Sequence, residues 1–212
     1  MTTDLRGLPG PLPAGEHILW QGRPSWKSFA QRVFQVRKLA VYFAILLGWY
    51  AASSFVPGET YRTAALGTLR MTGVALTPLV LVYVFAWLTS RSTVYTITDR
   101  RVVFSIGIAL QVRINLPFKK VESAGLETWP DGSGSIALAL LPREKIAYLA
   151  LWPHARPWRV SRPEPMLRCI PDAQRVSQIL ARALATEAGM AVQPAPQGAS
   201  AAPQRDPVTA LA

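Results

Sequence analysis

The residues of this chain that are best suited to chemistry are two histidines, one cysteine and one glycine-rich segment. His17 and His154 lie far apart in the sequence, and isolated histidines are more often surface residues than metal ligands. Cys169 lies in a predicted strand with no histidine near it, as expected of a small core residue rather than a nucleophile. Residues 131–135 read DGSGS without the lysine and following helix of a nucleotide site, which indicates a turn. We therefore expect no catalytic residue, no metal and no cofactor, and we predict that the protein is not an enzyme.

A contact surface is the second kind of site that the residue types suggest. Residues 152–159 read WPHARPWR, with two tryptophans and two arginines in eight positions. Both residue types are enriched at membrane interfaces and among the side chains that dominate protein interfaces. We predict contact with a partner or the membrane surface through Trp152, Arg156, Trp158 and Arg159. The alternative is that both tryptophan rings only cover the core of the domain beside them.

The elements that position the candidate residues begin with two apolar segments, residues 39–56 and 71–89. Neither segment contains a charged residue. Each is close to the roughly 20 residues that cross a bilayer as a helix, and such stretches are rare in soluble domains. We predict a transmembrane hairpin with an external loop at 57–70. A buried hairpin in a soluble core is the alternative.

The distribution of Lys and Arg predicts the orientation of this hairpin. Basic residues lie close to the first span on its N-terminal side and follow the second span, whereas the loop at 57–70 has two arginines and one glutamate. Both termini are therefore expected in the cytoplasm. The whole chain has 23 Lys+Arg against 12 Asp+Glu, which favours anionic partners such as phospholipid headgroups, nucleic acid or acidic proteins. Charge alone does not choose among them.

Small residues recur at every fourth position of the first span, at Ala40, Ala44, Gly48 and Ala52. Such a stripe allows another helix to approach closely, and we predict a helix-packing surface there. The second helix is either the chain's own second span or a helix of another protein. Before the span, residues 25–38 predict either a basic amphipathic helix on the membrane surface or an extension of the span.

After the second span the periodicity of the sequence changes to two, which indicates strands. We predict strands at 93–98, 102–106, 110–116, 121–127, 136–141, 145–152 and 166–170. Residues 136–152 are apolar enough to suggest a third span, but three consecutive charged residues at 143–145 would be costly inside a bilayer. Two short strands joined by a turn avoid this cost.

An amphipathic helix is predicted after Pro171 and Asp172, with apolar side chains at Val176, Ile179, Leu180, Ala183 and Leu184. Residues 1–38 then form a cytoplasmic arm, and residues 90–188 form an antiparallel sandwich or barrel closed by this helix. The tail at 189–212 is rich in Ala, Pro and Gln, and we expect it to be disordered. The predicted fold class is an α+β membrane protein.

Three segments resemble a known family. They are PLPAGEHILWQGRP at 11–24, FQVRKLAVYF at 34–43 and TVYTITDRRVVFSIG at 93–107. Together they resemble the PuhB family of photosynthetic complex assembly proteins of purple bacteria, whose soluble part is similar to bacterial PH-like domains. The resemblance covers nearly the whole chain except the tail, and it implies a PH-like fold for residues 90–188.

The function that this resemblance implies is a non-enzymatic assembly factor for the reaction centre and its light-harvesting complex, located in the bacterial inner membrane. The partners implied are reaction-centre and light-harvesting subunits or other assembly proteins, and not nucleic acid. Self-association into a homo-oligomer is compatible with the same role. The alternative is a PH-like membrane protein that binds anionic lipid headgroups and is unrelated to photosynthesis.

Overall fold

The computed structural model describes residues 7–8, 10, 12–54, 61–143 and 146–189, so the predicted tail lies outside the described residues from position 190 onward. A helical part comes early in the chain and a β-rich part follows it. The helical part comprises α1 (Trp26–Arg32), α2 (Val36–Ser53) and α3 (Tyr61–Ser92).

The β-rich part consists of two antiparallel sheets and two helices, which we call the β-domain. The first sheet has the order β1 (Ile18–Gly22), β2 (Val94–Thr98), β3 (Arg101–Ile106) and β4 (Val112–Pro117). The second sheet has the order β5 (Val121–Thr128), β6 (Gly134–Leu140) and β7 (Met166–Ile170). A short 3-10 helix, Phe118–Lys120, joins the sheets, and the helices of the β-domain are α4 (Tyr148–Leu151) and α5 (Ala173–Glu187).

One hydrophobic core lies between the two sheets and α5. Alternate residues of the strands enter it, so that Tyr95, Phe104 and Ile114 are paired across β2, β3 and β4. The predicted apolar face of α5 covers the core through Val176 and Leu180, which are fully buried. The antiparallel α+β architecture and the C-terminal helix are therefore confirmed.

Strand β1 is not among the strands predicted from the sequence. It pairs antiparallel with β2, from Ile18 opposite Thr98 to Gly22 opposite Tyr95, so part of the N-terminal arm belongs to the first sheet. The buried Glu16 carboxylate accepts two hydrogen bonds from the Arg101 guanidinium, one of them 2.7 Å from Nε to Oε1. This bidentate pair attaches the arm to the hairpin of β2 and β3 and lowers the pKa of Glu16.

Two predicted strands differ from those observed. The strand predicted at 110–116 begins at Val112, because residues 107–110 make a tight turn in which a Cβ on Gly107 would lie 2.0 Å from the Leu110 carbonyl oxygen. The strand predicted at 145–152 is wrong. Its described residues form the single helical turn α4, which buries Leu151 and leaves Leu149 exposed. Ala and Leu favour a helix, and Pro153 then prevents its continuation.

Helix α3 is longer than the span predicted at 71–89. It has 32 residues, and at 1.5 Å per residue it is about 48 Å long. The external loop predicted at 57–70 is therefore wrong from Tyr61 onward, because residues 61–70 contain no proline and continue the helix. Helix α3 is long and apolar enough to cross a membrane, and only 11% of its most apolar window is buried. Helices α1 and α2 are long and apolar enough to cross a membrane only when taken together as one bent pair, with 55° between them.

Helix α1 is not a straight extension of α2, and one side of it is buried within the protein. It packs against α3 and β7, and its residues Ser28, Phe29 and Ala30 are buried. The chain turns at Gln35, whose φ of 50° lies in the left-handed region, before α2 begins. Phe29 of α1 therefore attaches the helices to the β-domain, whereas Trp26 is 40% exposed.

Candidate functional site

An aromatic cluster joins the helices to the β-domain, and we call it the junction. Its members are the side chains of Phe29, Phe34, Phe85, Trp152 and His154. Phe34 lies between the helices and the loop after α4, with ring centroids 5.5 Å from Phe85 and 6.4 Å from Trp152. Phe29 lies 5.6 Å from Phe34 and 5.5 Å from His154. The junction therefore holds α1, α3 and residues 152–154 in one packed group.

His154 is completely buried, so the expectation that it is a surface residue is wrong. Its Nδ1 lies 2.6 Å from the Tyr95 hydroxyl, and its Nε2 lies 3.2 Å from the Thr93 hydroxyl. The Arg168 backbone N–H donates to the Tyr95 oxygen, so the hydroxyl that holds Nδ1 is itself held by β7. Each ring nitrogen of His154 thus has one hydroxyl partner.

This network fixes the protonation state and the position of His154. Burial, and then the positive charge of Arg168, lower the pKa of His154 to about 3, so the ring is neutral at physiological pH. The Arg168 guanidinium donates to the Pro153 carbonyl over 2.9 Å and holds the same loop. Both ring nitrogens are occupied by protein partners. Within the described residues there is no group of three His, Cys, Asp or Glu side chains that could hold a metal. The arrangement positions a loop rather than a metal or a nucleophile.

The other residues considered for chemistry lie where the sequence indicates. His17 is exposed. Cys169 is buried in β7, and burial raises the pKa of its thiol to about 12, as expected of a core residue. Asp131 and Ser133 form a turn in which Asp131 accepts a hydrogen bond from the Ser133 hydroxyl at 2.8 Å.

The four predicted contact residues of the loop divide into two groups. Trp152 is 50% exposed and packs on Phe34 and Phe85, so it covers the junction as the alternative reading expects. Trp158 is 96% exposed and holds a φ of 65°, a strained value for a bulky residue. Its ring is left free for contact.

Glu164 organises the two arginines of the same loop. It is nearly buried and accepts from Arg156 at 2.8 Å and from Arg159 at 3.1 Å. Sequence reasoning missed this acid, although it is the only one between positions 145 and 171 and lies close to several arginines. The charges of Arg156 and Arg159 are therefore partly neutralised within the chain, and Trp158 is the member of the predicted set with a free surface.

The small-residue stripe of α2 does not face α3. Ala44, Gly48 and Ala52 are exposed, Ala40 is half-buried, and a Cβ on Gly48 would meet no other atom within 4 Å. An apolar cavity of about 260 Å³ lies between α2 and α3, and its lining residues are Phe43, Leu46, Leu47, Tyr50, Met71, Val74 and Ala75. Of the two alternatives for the stripe, packing against the chain's own second span is not observed.

A cavity of about 430 Å³ lies where α3 meets the first sheet, and it was not predicted from the sequence. Three arginines from distant parts of the chain line it, and we call it the arginine pocket. Its lining residues are Gly7, Arg23, Arg91, Ser92, Val94, Ser105, Gln111 and Arg113. The polar face of the predicted strand at 110–116 was the one feature of the sequence that pointed to this pocket. The sequence alone does not indicate which strands lie beside that face.

Comparison with known proteins places this architecture in a family. Residues 34–184 match the bacterial PH domain family, a range that includes α2, α3 and the β-domain from β2 to most of α5. A relative in Rhodobacter capsulatus, described as an uncharacterized 23.7 kDa protein in the puhA 5′ region, is 37% identical over 180 residues. The alignment covers 84% of this chain and 83% of the relative. No solved structure matches the chain. On the extent of both matches, the chain belongs to the bacterial PH domain family.

Proposed function

We propose that this protein is a non-enzymatic assembly factor for the photosynthetic reaction centre and light-harvesting core complex. The observation that carries the proposal is the relative from the puhA 5′ region of a photosynthetic purple bacterium, which aligns over most of both chains. The resemblance of residues 11–24, 34–43 and 93–107 to the PuhB family supports the same assignment. The factor acts through contacts between proteins at the membrane.

In this proposal α2 and α3 form a hairpin in the inner membrane, with both termini in the cytoplasm. The outward faces of both helices support it, because their large apolar side chains are exposed, among them Val41, Ile45, Trp49, Leu69, Val74, Val80 and Leu81. An apolar surface of this extent requires a lipid or protein environment. The arginines and lysines that flank the apolar segments support the orientation. The β-domain then lies at the cytoplasmic surface.

Trp158 is the proposed contact of the β-domain with a reaction-centre subunit, a light-harvesting subunit or another assembly protein. Its exposure and its left-handed backbone keep a large aromatic ring in solvent, where it contributes nothing to the core. Tryptophan is among the residues that contribute most to protein interfaces. The exposed stripe of Ala44, Gly48 and Ala52 offers a close approach for a helix of the same partner.

Deletion of the gene tests the proposed function. We expect the deletion strain to accumulate less assembled core complex while total pigment synthesis continues, because no pigment ligand or catalytic group is assigned to this chain. Absorption spectra of membranes and separation of intact complexes in mild detergent measure the two quantities. Restoration by the wild-type gene is the control. Normal amounts of core complex in the deletion strain would contradict the assembly role and favour a function unrelated to photosynthesis, such as lipid binding alone.

Trp158→Ala tests the proposed contact. Truncation of a central interface residue costs about 2 kcal/mol or more, so the affinity of the tagged variant for partner proteins should fall by about thirtyfold or more. The unfolding temperature should stay unchanged, since the ring is 96% exposed. Trp26→Ala, which removes a partly exposed tryptophan outside the loop, is the matched control. Wild-type recovery of partners by Trp158→Ala would remove this residue from the proposed interface.

A further inference from the structure

The arginine pocket is built by the register of the first sheet. Val94 of β2 pairs with Ser105 of β3, and Ser105 pairs with Arg113 of β4. Gly22 of β1 pairs with Tyr95, which places the following residue, Arg23, beside Val94. Arg23 and Arg113 therefore approach one row of the sheet from opposite sides. This row lies on the face away from the core, because the adjacent row of Tyr95, Phe104 and Ile114 faces inward.

The third arginine comes from the end of α3. Arg91 lies in the last turn of the helix, next to Ser92, and both line the pocket. Its guanidinium lies 5.1 Å from the centre of the Trp87 ring, one turn earlier. Tryptophan and arginine at the end of an apolar helix are typical of the interface between lipid headgroups and water. The pocket therefore lies at the level of α3 where headgroups are expected.

The charge of the pocket is unbalanced. No Asp or Glu is among its lining residues. In the part of the chain that the structure describes, none of Arg23, Arg91 and Arg113 forms an ion pair. A second cavity of about 590 Å³ beside β6 also contains arginines, but there Glu164 pairs with Arg156 and Arg159. The arginine pocket therefore has three arginines and no Asp or Glu among its described lining residues.

We propose that the arginine pocket binds the phosphate group of an anionic phospholipid of the cytoplasmic leaflet. Guanidinium groups bind phosphate oxygens through paired N–H donors, and three of them surround the oxygens from different directions. The Ser105 hydroxyl and the Gln111 amide add neutral donors to the same cavity. The lipid tails follow the apolar surface of α3 away from the pocket. This inference rests on the membrane placement of α3 in the proposed function.

The same donors would accept free phosphate, so the experiment must distinguish the two sources. Full-length protein is purified in a non-ionic detergent, and its unfolding temperature is followed by tryptophan fluorescence while one additive is titrated. The three additives are phosphatidylglycerol, phosphatidylcholine and inorganic phosphate. We expect saturable stabilisation by phosphatidylglycerol and little response to the other two. Equal stabilisation by inorganic phosphate at the same concentration would overturn the assignment to a lipid.

The Arg23→Gln/Arg113→Gln double variant tests the residues. Each arginine near an anionic surface contributes about 1 kcal/mol, so the half-saturating concentration of phosphatidylglycerol should rise about thirtyfold. Arg91 is left unchanged because it also packs on Trp87. The matched control is Arg175→Gln/Arg182→Gln, which removes the same charge from exposed positions of α5 and should respond like the wild type. An equal loss in both double variants would show general charge attraction and overturn the site.

Extraction of membranes with alkaline carbonate separates this inference from the proposed function. Wild-type protein and both double variants should remain in the membrane, because none of the changes lies in the apolar part of α2 or α3. Release of the wild-type protein would contradict the membrane placement itself, and with it the headgroup site. Retained protein that does not respond to phosphatidylglycerol would overturn the site alone.

Discussion

Phe29→Ala is expected to lower the free energy of unfolding by about 3–5 kcal/mol, the usual cost of removing a fully buried phenylalanine ring. Phe29 has no exposed surface and contacts Phe34 and His154, so its removal leaves a cavity in the centre of the junction. Helix α1 would then lose the side chain that attaches it to the β-domain. For a chain of this size the unfolding temperature should fall by about 10 °C, measured by tryptophan fluorescence in detergent.

Two variants of the same helix are the controls for this prediction. Phe29→Leu keeps an apolar side chain in the cavity and should recover most of the lost stability. Trp26→Ala changes a partly exposed ring of α1 and should have a much smaller effect. If Phe29→Ala unfolds at the wild-type temperature, the junction does not hold α1 against the β-domain.

His154 is expected to make the protein less stable as the pH falls from 6.5 to 5. In the folded protein its pKa is lowered to about 3, whereas the unfolded chain takes up a proton near the ordinary value of 6.5. The unfolded state therefore binds more protons below pH 6.5, and the stability is complete above that pH and is lost as the pH falls toward 3. At about 1.4 kcal/mol per pH unit, the loss reaches about 2 kcal/mol at pH 5.

Tyr95 and Glu16 do not account for the expected loss of stability between pH 6.5 and 5. Tyr95 and Arg168 face the ring, and burial raises the pKa of Tyr95, so the tyrosine stays neutral. The lowered pKa of Glu16 affects stability only at more acidic pH, below its usual value of 4.5. The slope of the unfolding temperature against pH should be reduced in His154→Gln and unchanged in His17→Gln. A wild-type slope in His154→Gln would contradict the assignment of a buried neutral imidazole.

The strands and the C-terminal helix were predictable because each carries its own pattern. In β2, β3 and β4 alternate residues enter the core, and α5 repeats its apolar residues at helical spacing. The strand predicted at 145–152 was wrong because short apolar segments carry no distinctive period. A single helical turn buries Leu151 as well as a strand would. Strand β1 was not predicted because its residues do not alternate regularly between buried and exposed positions and its partner strand lies more than 70 residues away in sequence.

The candidate site was less predictable than the fold, because its properties depend on distant residues. His154 looks like a surface residue in a loop of prolines and arginines, and its burial depends on Tyr95 and Thr93, 59 and 61 residues earlier. The loop composition predicted a contact surface but could not show that Trp152 covers the junction while Trp158 is exposed. The arginine pocket exists only through strand register, which composition does not reveal.

Helix α3 passes into β2 with Thr93 as the only residue between them, and this connection limits how the β-domain can move. The Thr93 N–H donates to the Thr89 carbonyl, and the Thr93 hydroxyl contacts His154. No flexible linker therefore separates α3 from the β-domain. In the proposed membrane placement of α3, this connection would hold the β-domain at one height above the bilayer. Trp158 would then meet the proposed partners by diffusion in two dimensions, which raises their effective concentration. Only partners that present a complementary surface at that same height benefit.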